Sequence, residues 1–157
     1  MKIFIIIIFF YAFKLQATTW IVESVGSIIN YEKINLPDGS VNSISKGTGG
    51  GKDNTGKYTS SSCIGHRLEK NNSLIELKFF CNVELSNGDK YYFMQYRTKS
   101  DTDVGVGKGT ILGGTGVFSK LIGAKCIYGI KHIKKKVYNT TKCEIPDNIF
   151  NELKNDN

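Results

Sequence analysis

The stretch from residue 74 to 85 limits what this chain can become more than any other, because its hydrophobicity alternates almost without a fault. Ile75, Leu77, Phe79, Cys81, Val83 and Leu85 fall on one side, and Glu76, Lys78, Asn82 and Glu84 on the other, with Phe80 the exception. A period of two belongs to an extended strand that lays one face on a core. Ser86-Asn87-Gly88-Asp89 follows and leads into residues 90–97, rich in the aromatics that strands favour. Asn-Gly between two such runs signals a hairpin, since both residues tolerate positive φ. Upstream, Asn71-Asn72 serves as the tip of a second hairpin that joins residues 56–68 to the same strand. With that tip, residues whose numbers sum to about 144 face each other. Cys63 therefore pairs with Cys81, which leaves Cys126 for Cys143. Each such bridge closes a short loop and stabilises by about 2–4 kcal/mol.

Further strands are expected over residues 20–31, 41–46, 104–112, 116–119 and 123–133. Turn signals separate them at Leu36-Pro37-Asp38-Gly39, at Gly47-Thr48-Gly49-Gly50-Gly51 and at Thr98-Lys99-Ser100-Asp101. Short strands at this spacing, with hardly any helix-length pattern, make the fold an all-β meander, either a barrel or a sandwich. Residues 146–157 differ: Asp147 is placed to cap one or two helical turns with Ile149, Phe150 and Leu153 on one side.

The segment GTILGGTGVF, residues 109–118, poses the question of a phosphate loop. Such a loop needs a lysine and a Ser or Thr directly after its last glycine. Here Gly114 is followed by Thr115 and Gly116. Gly105-Val106-Gly107-Lys108-Gly109 fails the dinucleotide fingerprint as well, since no helix opens after it. These glycines are therefore read as bends, bulges and close backbone contacts in a closing sheet.

The run GGTGVFSKLIGAKCIYGI, residues 113–130, resembles the G-T-G-x-[FY]-x-x-[IL]-x-G segment of exported bacterial β-barrels related to the allene oxide cyclase and dirigent-like superfamily. KDNTGKY at 52–58, Cys63, Cys81 and NGDKYYF at 87–93 fit the same pattern. The resemblance implies an antiparallel up-and-down barrel of about eight strands, with an interior able to hold a pocket. It carries over no catalytic residue.

The amino terminus begins Met1-Lys2, continues with an apolar run at residues 3–13 and reaches Ala17 before a polar junction. This is the pattern of a secretory signal cleaved after residue 17, leaving a barrel domain at 18–145 and a tail at 146–157. The run is too short for a membrane span, which takes about 20 apolar residues. An uncleaved, anchored form is the alternative, because Lys14 and Leu15 lie close to the junction. The expected location is periplasmic or secreted, where four cysteines form disulfides. The cysteines are too far apart for a CxxC zinc site, so no metal and no cofactor is expected. Cleavage removes two of 21 basic residues, leaving 19 against 14 acidic ones. That modest excess favours anionic surfaces in general.

The candidate ligand contacts are Tyr92, Tyr96, Arg97, His66 and Phe118. Alternation separates Tyr92, Met94 and Tyr96 from Tyr91, Phe93 and Arg97, and either set can face inward. Core packing explains the aromatics as well as a pocket does. His66 reads as a pocket acid or base, or more simply as a solvent-facing strand residue. His132 reads as surface, and Lys131, Lys134, Lys135 and Lys136 as a solvated basic patch. The sequons at Asn71 and Asn139 matter only in a eukaryotic secretory route. Three functions follow. The first is a non-catalytic exported barrel holding a small apolar ligand. The second is a cyclase- or isomerase-like enzyme using Arg97, Asp101 or Asp103. The third is an envelope protein that engages anionic lipid or glycan through its basic surface, with nucleic acid disfavoured by export.

Overall fold

The computed structural model describes residues 17–156, so the apolar run at residues 3–13 and the rest of the expected leader up to residue 16 lie outside the described residues. Eight strands follow one another: β1 (Ala17–Asn35), β2 (Ser40–Asp53), β3 (Tyr58–Lys70), β4 (Ser73–Leu85), β5 (Lys90–Asp101), β6 (Val104–Gly114), β7 (Lys125–Ile133) and β8 (Lys136–Pro146). Each pairs antiparallel with its sequence neighbour, and β1 pairs with β8 to close the barrel. A 3₁₀ segment (Gly116–Leu121) interrupts the connection from β6 to β7, and a helix α1 (Asp147–Asn155) ends the chain. The all-β, up-and-down barrel expected from the sequence is thus the fold observed.

Both predicted disulfides are present, Cys63–Cys81 across β3 and β4 and Cys126–Cys143 across β7 and β8. The first depends on a detail that the hairpin tip alone does not supply. Asn71 and Asn72, both with positive φ, set Lys70 opposite Ser73 and Glu69 opposite Leu74. Continued unchanged, that register would put Cys63 opposite Phe80. Ile75 is an extra residue in β4, a β-bulge, and it shifts the pairing by one so that Cys81 lies opposite Cys63. The bulge also turns Ile75 outward, against the sequence expectation, and Leu74 is buried in its place.

Large side chains fill one end of the barrel. Trp20, Tyr91, Phe93 and Phe118 pack together, with the Tyr91 and Phe118 rings stacked at 4.8 Å and Trp20 edge-on to Tyr91 at 5.4 Å. The Trp20 indole donates to Asp53, whose carboxylate also accepts from the Lys57 and Thr55 backbone. The buried Lys57 ammonium in turn donates to the Leu153 carbonyl, tying α1 over that end. Ile149 and Leu153 supply the buried face of α1, and Phe150 packs partly against the core.

Several expected boundaries move for physical reasons. Residues 116–119 are 3₁₀ helix, not strand, because Phe118 N–H bonds back to the Thr115 carbonyl and drops its ring into the barrel end. The glycine cluster at 47–51 lies inside β2, where its inner positions must be small. The turn comes later, at Asp53–Gly56, closed by Gly56 N–H to the Asp53 carbonyl. Thr98–Asp101 belongs to β5, with Ser100 and Asp101 paired to β4. β8 has no counterpart in the sequence expectation. A tight turn with Lys134 at φ 56° sends the chain straight back from β7 into it. Asp147 does not cap α1 but accepts a hydrogen bond from the Thr18 hydroxyl at 2.6 Å.

On β6, Gly109 gives the clearest constraint: a Cβ there would overlap the Phe93 ring. Gly129 in β7 faces open space. Gly109→Ala is therefore expected to lower unfolding stability by about 1–3 kcal/mol. Gly129→Ala should leave it unchanged or raise it by up to about 1 kcal/mol. Urea midpoints of the two variants check this.

Candidate functional site

The inner face of β2 reads Ser43, Ser45, Gly47, Gly49 and Gly51, with a small side chain or none at every step. β3 continues with Thr59, Ser61 and Cys63, and β1 adds Ser24 and Gly26. Small residues on one side of the barrel leave space that the aromatic end does not fill. The result is a cavity of about 170 Å³. Its floor is Trp20, Tyr91 and Phe93, its apolar wall includes Leu77, Phe79 and Val83, and it reaches the exposed Ile28 and Tyr31 at its mouth.

The wall opposite β2 is polar. Strand pairing sets Arg67 on β3 opposite Leu77 on β4, and Leu77 opposite Arg97 on β5, so both guanidiniums enter the barrel at one level. Arg67 forms an ion pair with Glu69. Arg97 is only 2% exposed, and its Nη2 has the Thr102 carbonyl at 3.5 Å. Gly105 makes room for this guanidinium, as a Cβ there would meet Nη1. Tyr128 on β7, 1% exposed, lies over Gly107, whose Cβ would come within 2.6 Å of the phenol oxygen. His132 and Asn139 complete this wall.

Burial is the largest influence on Tyr128, Arg97 and His132. It pushes Tyr128 up to about 12, against the pull of the Arg97 charge, so the phenol keeps its proton and acts as a donor. It presses Arg97 below its ordinary 12.5, helped by Arg67 and opposed by Tyr128 and Asp101. It also lowers His132 from 6.5, with Arg67 and Arg97 adding to the shift and Asp103 opposing it. Near neutral pH this imidazole is uncharged.

Among the described residues, Arg67 Nε, Arg97 Nε and Nη1, the Tyr128 hydroxyl and Asn139 Oδ1 are buried without a hydrogen-bond partner. Buried polar atoms in folded proteins are nearly always satisfied, so a cluster of exceptions calls for a cause. No group of three or more His, Cys, Asp or Glu side chains suited to a metal occurs among the described residues.

Of the candidate ligand contacts, Arg97 alone lies at this polar end, just behind the cavity wall. Tyr92 and Tyr96 are 51% and 37% exposed on the outside of the barrel. Their inward neighbours Tyr91 and Phe93 take the interior, because Tyr91 is opposite Val83 and Phe93 is opposite Cys81. That assignment follows from counting back through the hairpin at 86–89, a signal present in the sequence. His66 points outward and pairs with Glu76 at 3.2 Å. Phe118 is fully buried in the packed end and closes the barrel without lining the cavity. Asp101 and Asp103 are exposed at the β5–β6 turn. His132, expected at the surface, turns inward on the same face of β7 as Tyr128 and Ile130, which precede it at steps of two. The inner serines and glycines of β2 and the phenol of Tyr128 were not anticipated. A period of two in side-chain size, not hydrophobicity, marks the former.

No family model, curated protein or solved structure matches the chain.

The lowered His132 value has a consequence for stability. Just below pH 6.5 the unfolded chain binds more protons at this residue than the folded one, so acidification through that window destabilises the fold. His132→Gln is expected to reduce the loss of stability between about pH 7 and about pH 5.5. Urea unfolding of both proteins at the two pH values checks this.

Proposed function

We propose that the protein is an exported, non-catalytic barrel that holds one small, largely apolar molecule in its interior. The observation that carries this reading is the hollow beside a packed aromatic floor, in a barrel whose other end is closed by the 3₁₀ segment and α1. A core selected for stability alone would fill such a space, since interiors pack to crystal-like density and voids are destabilising. An apolar hollow of about 150 Å³ already takes up benzene, so about 170 Å³ suits a single ring or a short chain.

Export rests on the amino-terminal pattern and agrees with two disulfides, which persist in oxidising compartments. No helix among the described residues is long and apolar enough to cross a membrane. The likeness of the glycine segment to allene oxide cyclase and dirigent-like barrels fits a ligand-holding barrel.

Toluene serves as a neutral probe of the right size. In ¹⁵N-labelled protein it is expected to shift the amides of residues lining the cavity in a saturable manner, and Ser45→Phe, which fills the space from the β2 side, is expected to abolish the shifts. Absence of saturable shifts in the unmodified protein would remove this reading.

A further inference from the structure

We infer that the cavity is built for a small organic monoanion: a carboxylate whose charged end meets Arg67 and Tyr128 in front of Arg97, and whose body rests on Leu77, Phe79 and Phe93. This rests on the ligand-binding reading above and adds the chemical class of the ligand.

Four of the five unpartnered buried atoms are donors: Arg67 Nε, Arg97 Nε and Nη1, and the Tyr128 hydroxyl. All lie at one end of the cavity or directly behind it. The fifth, Asn139 Oδ1, belongs to an amide whose nitrogen already donates to Ser24 and Thr141. Buried donors without acceptors are what an oxyanion satisfies. Arg67 and Tyr128 line the cavity, so a molecule held there lies beside them, with Arg97 behind.

Charge counting sets the valence. Glu69 offsets Arg67 through their ion pair, whereas among the described residues Arg97 has no carboxylate within bonding distance. The carboxylates that act on Arg97 and His132, Asp101 and Asp103, are exposed on the β5–β6 turn and do so only through longer-range attraction. One buried positive charge thus remains, which matches a monoanion better than a dianionic phosphate. The planar guanidinium forks also match the geometry of a carboxylate.

The mouth agrees with the interior. His132 and Val137, which line the cavity, are paired across the β7–β8 hairpin, whose turn carries Lys134 and Lys135 and whose flanks carry Lys131 and Lys136. Four lysines on this one hairpin outnumber Asp101 and Asp103 on the neighbouring β5–β6 turn, and an excess of positive charge raises the local concentration of an anion.

The test compares benzoate with benzyl alcohol, nearly the same shape without the charge, by calorimetric titration of the disulfide-bonded protein. Benzoate is expected to bind at least about tenfold more tightly, the scale of one charge-assisted hydrogen bond. Tyr128→Phe, which removes only the hydroxyl, and Arg67→Gln are each expected to erase most of that preference while leaving the affinity for benzyl alcohol within about threefold. Equal affinity for the two probes would overturn the anion assignment and leave the ligand-binding reading standing. A benzoate preference retained in both variants would place the anion on the outer lysines and overturn the assignment as well. Binding of neither probe, with no toluene shifts, would remove the ligand-binding reading and this inference together. Should Arg67→Gln fail to fold, Tyr128→Phe, which keeps the packed ring, decides alone.

Discussion

The packing of rings against missing side chains governs this barrel. Phe93 occupies the volume that a side chain at Gly109 would take, and Tyr128 does the same over Gly107. A barrel of eight strands has an interior only wide enough for side chains to fill, so large residues on one strand require small ones across from them. The chain distributes that compensation unevenly. At the end capped by α1 the rings interlock, and four aromatic residues leave no space between them. Towards the mouth β2 offers serine and glycine at every inward step, and no ring extends far enough to use the room. Closure and hollow are thus two outcomes of one pattern of side-chain size.

Register converts that pattern into a specific interior. A single added residue at Ile75 decides whether Cys63 faces Cys81 or Phe80, and the rungs beyond it inherit the choice. Since successive residues alternate between faces, a slip of β4 by one would carry Leu77, Phe79 and Cys81 from the inside to the outside while Arg67 on β3 stayed in. The disulfide is the covalent record of the correct register. The second bridge acts near the seam: Cys143 is paired with Cys126 on one side and with Trp20 of β1 on the other. The aromatic floor, the β1–β8 closure and the bridge therefore meet at one level of the barrel.

The sequence made some of this legible and hid the rest for definite reasons. Period-two hydrophobicity is strong in β4 and absent from the second half of β2, where both faces are polar or glycine, so the pattern gives β4 apart from the bulge at Ile75 and makes half of β2 look like a turn. β8 escaped because KVYNTTKCEIP buries threonine and asparagine at inward positions, which a hydrophobicity pattern counts as surface. The same blindness put His132 outside. Tyr92 and Tyr96 were candidates for the pocket because aromatic content was weighed without register. Once Cys81 is known to face inward, the hairpin at 86–89 assigns Tyr91, Phe93 and Arg97 to the interior and the two tyrosines to the exterior. Polar residues on an inner face become visible only when register is tracked from a securely placed neighbour.

The energetics of Arg97 bear on why such residues are kept. Removing the partner of a buried ion pair costs about 3–5 kcal/mol, because a charge then remains in a poor solvent, and exchanging charged residues for apolar ones of like volume is often neutral or stabilising. Arg97 is in the unfavourable condition: it is deeply buried, beside a second guanidinium, with two nitrogens unsatisfied among the described residues. A methionine or leucine at that position would fill the same volume without the penalty. Glycine at 105 compounds the point, since it sacrifices strand propensity to admit the guanidinium. A fold that spends stability twice on the same group, once in charge and once in backbone freedom, is best understood if the group is completed by something that enters the barrel after folding.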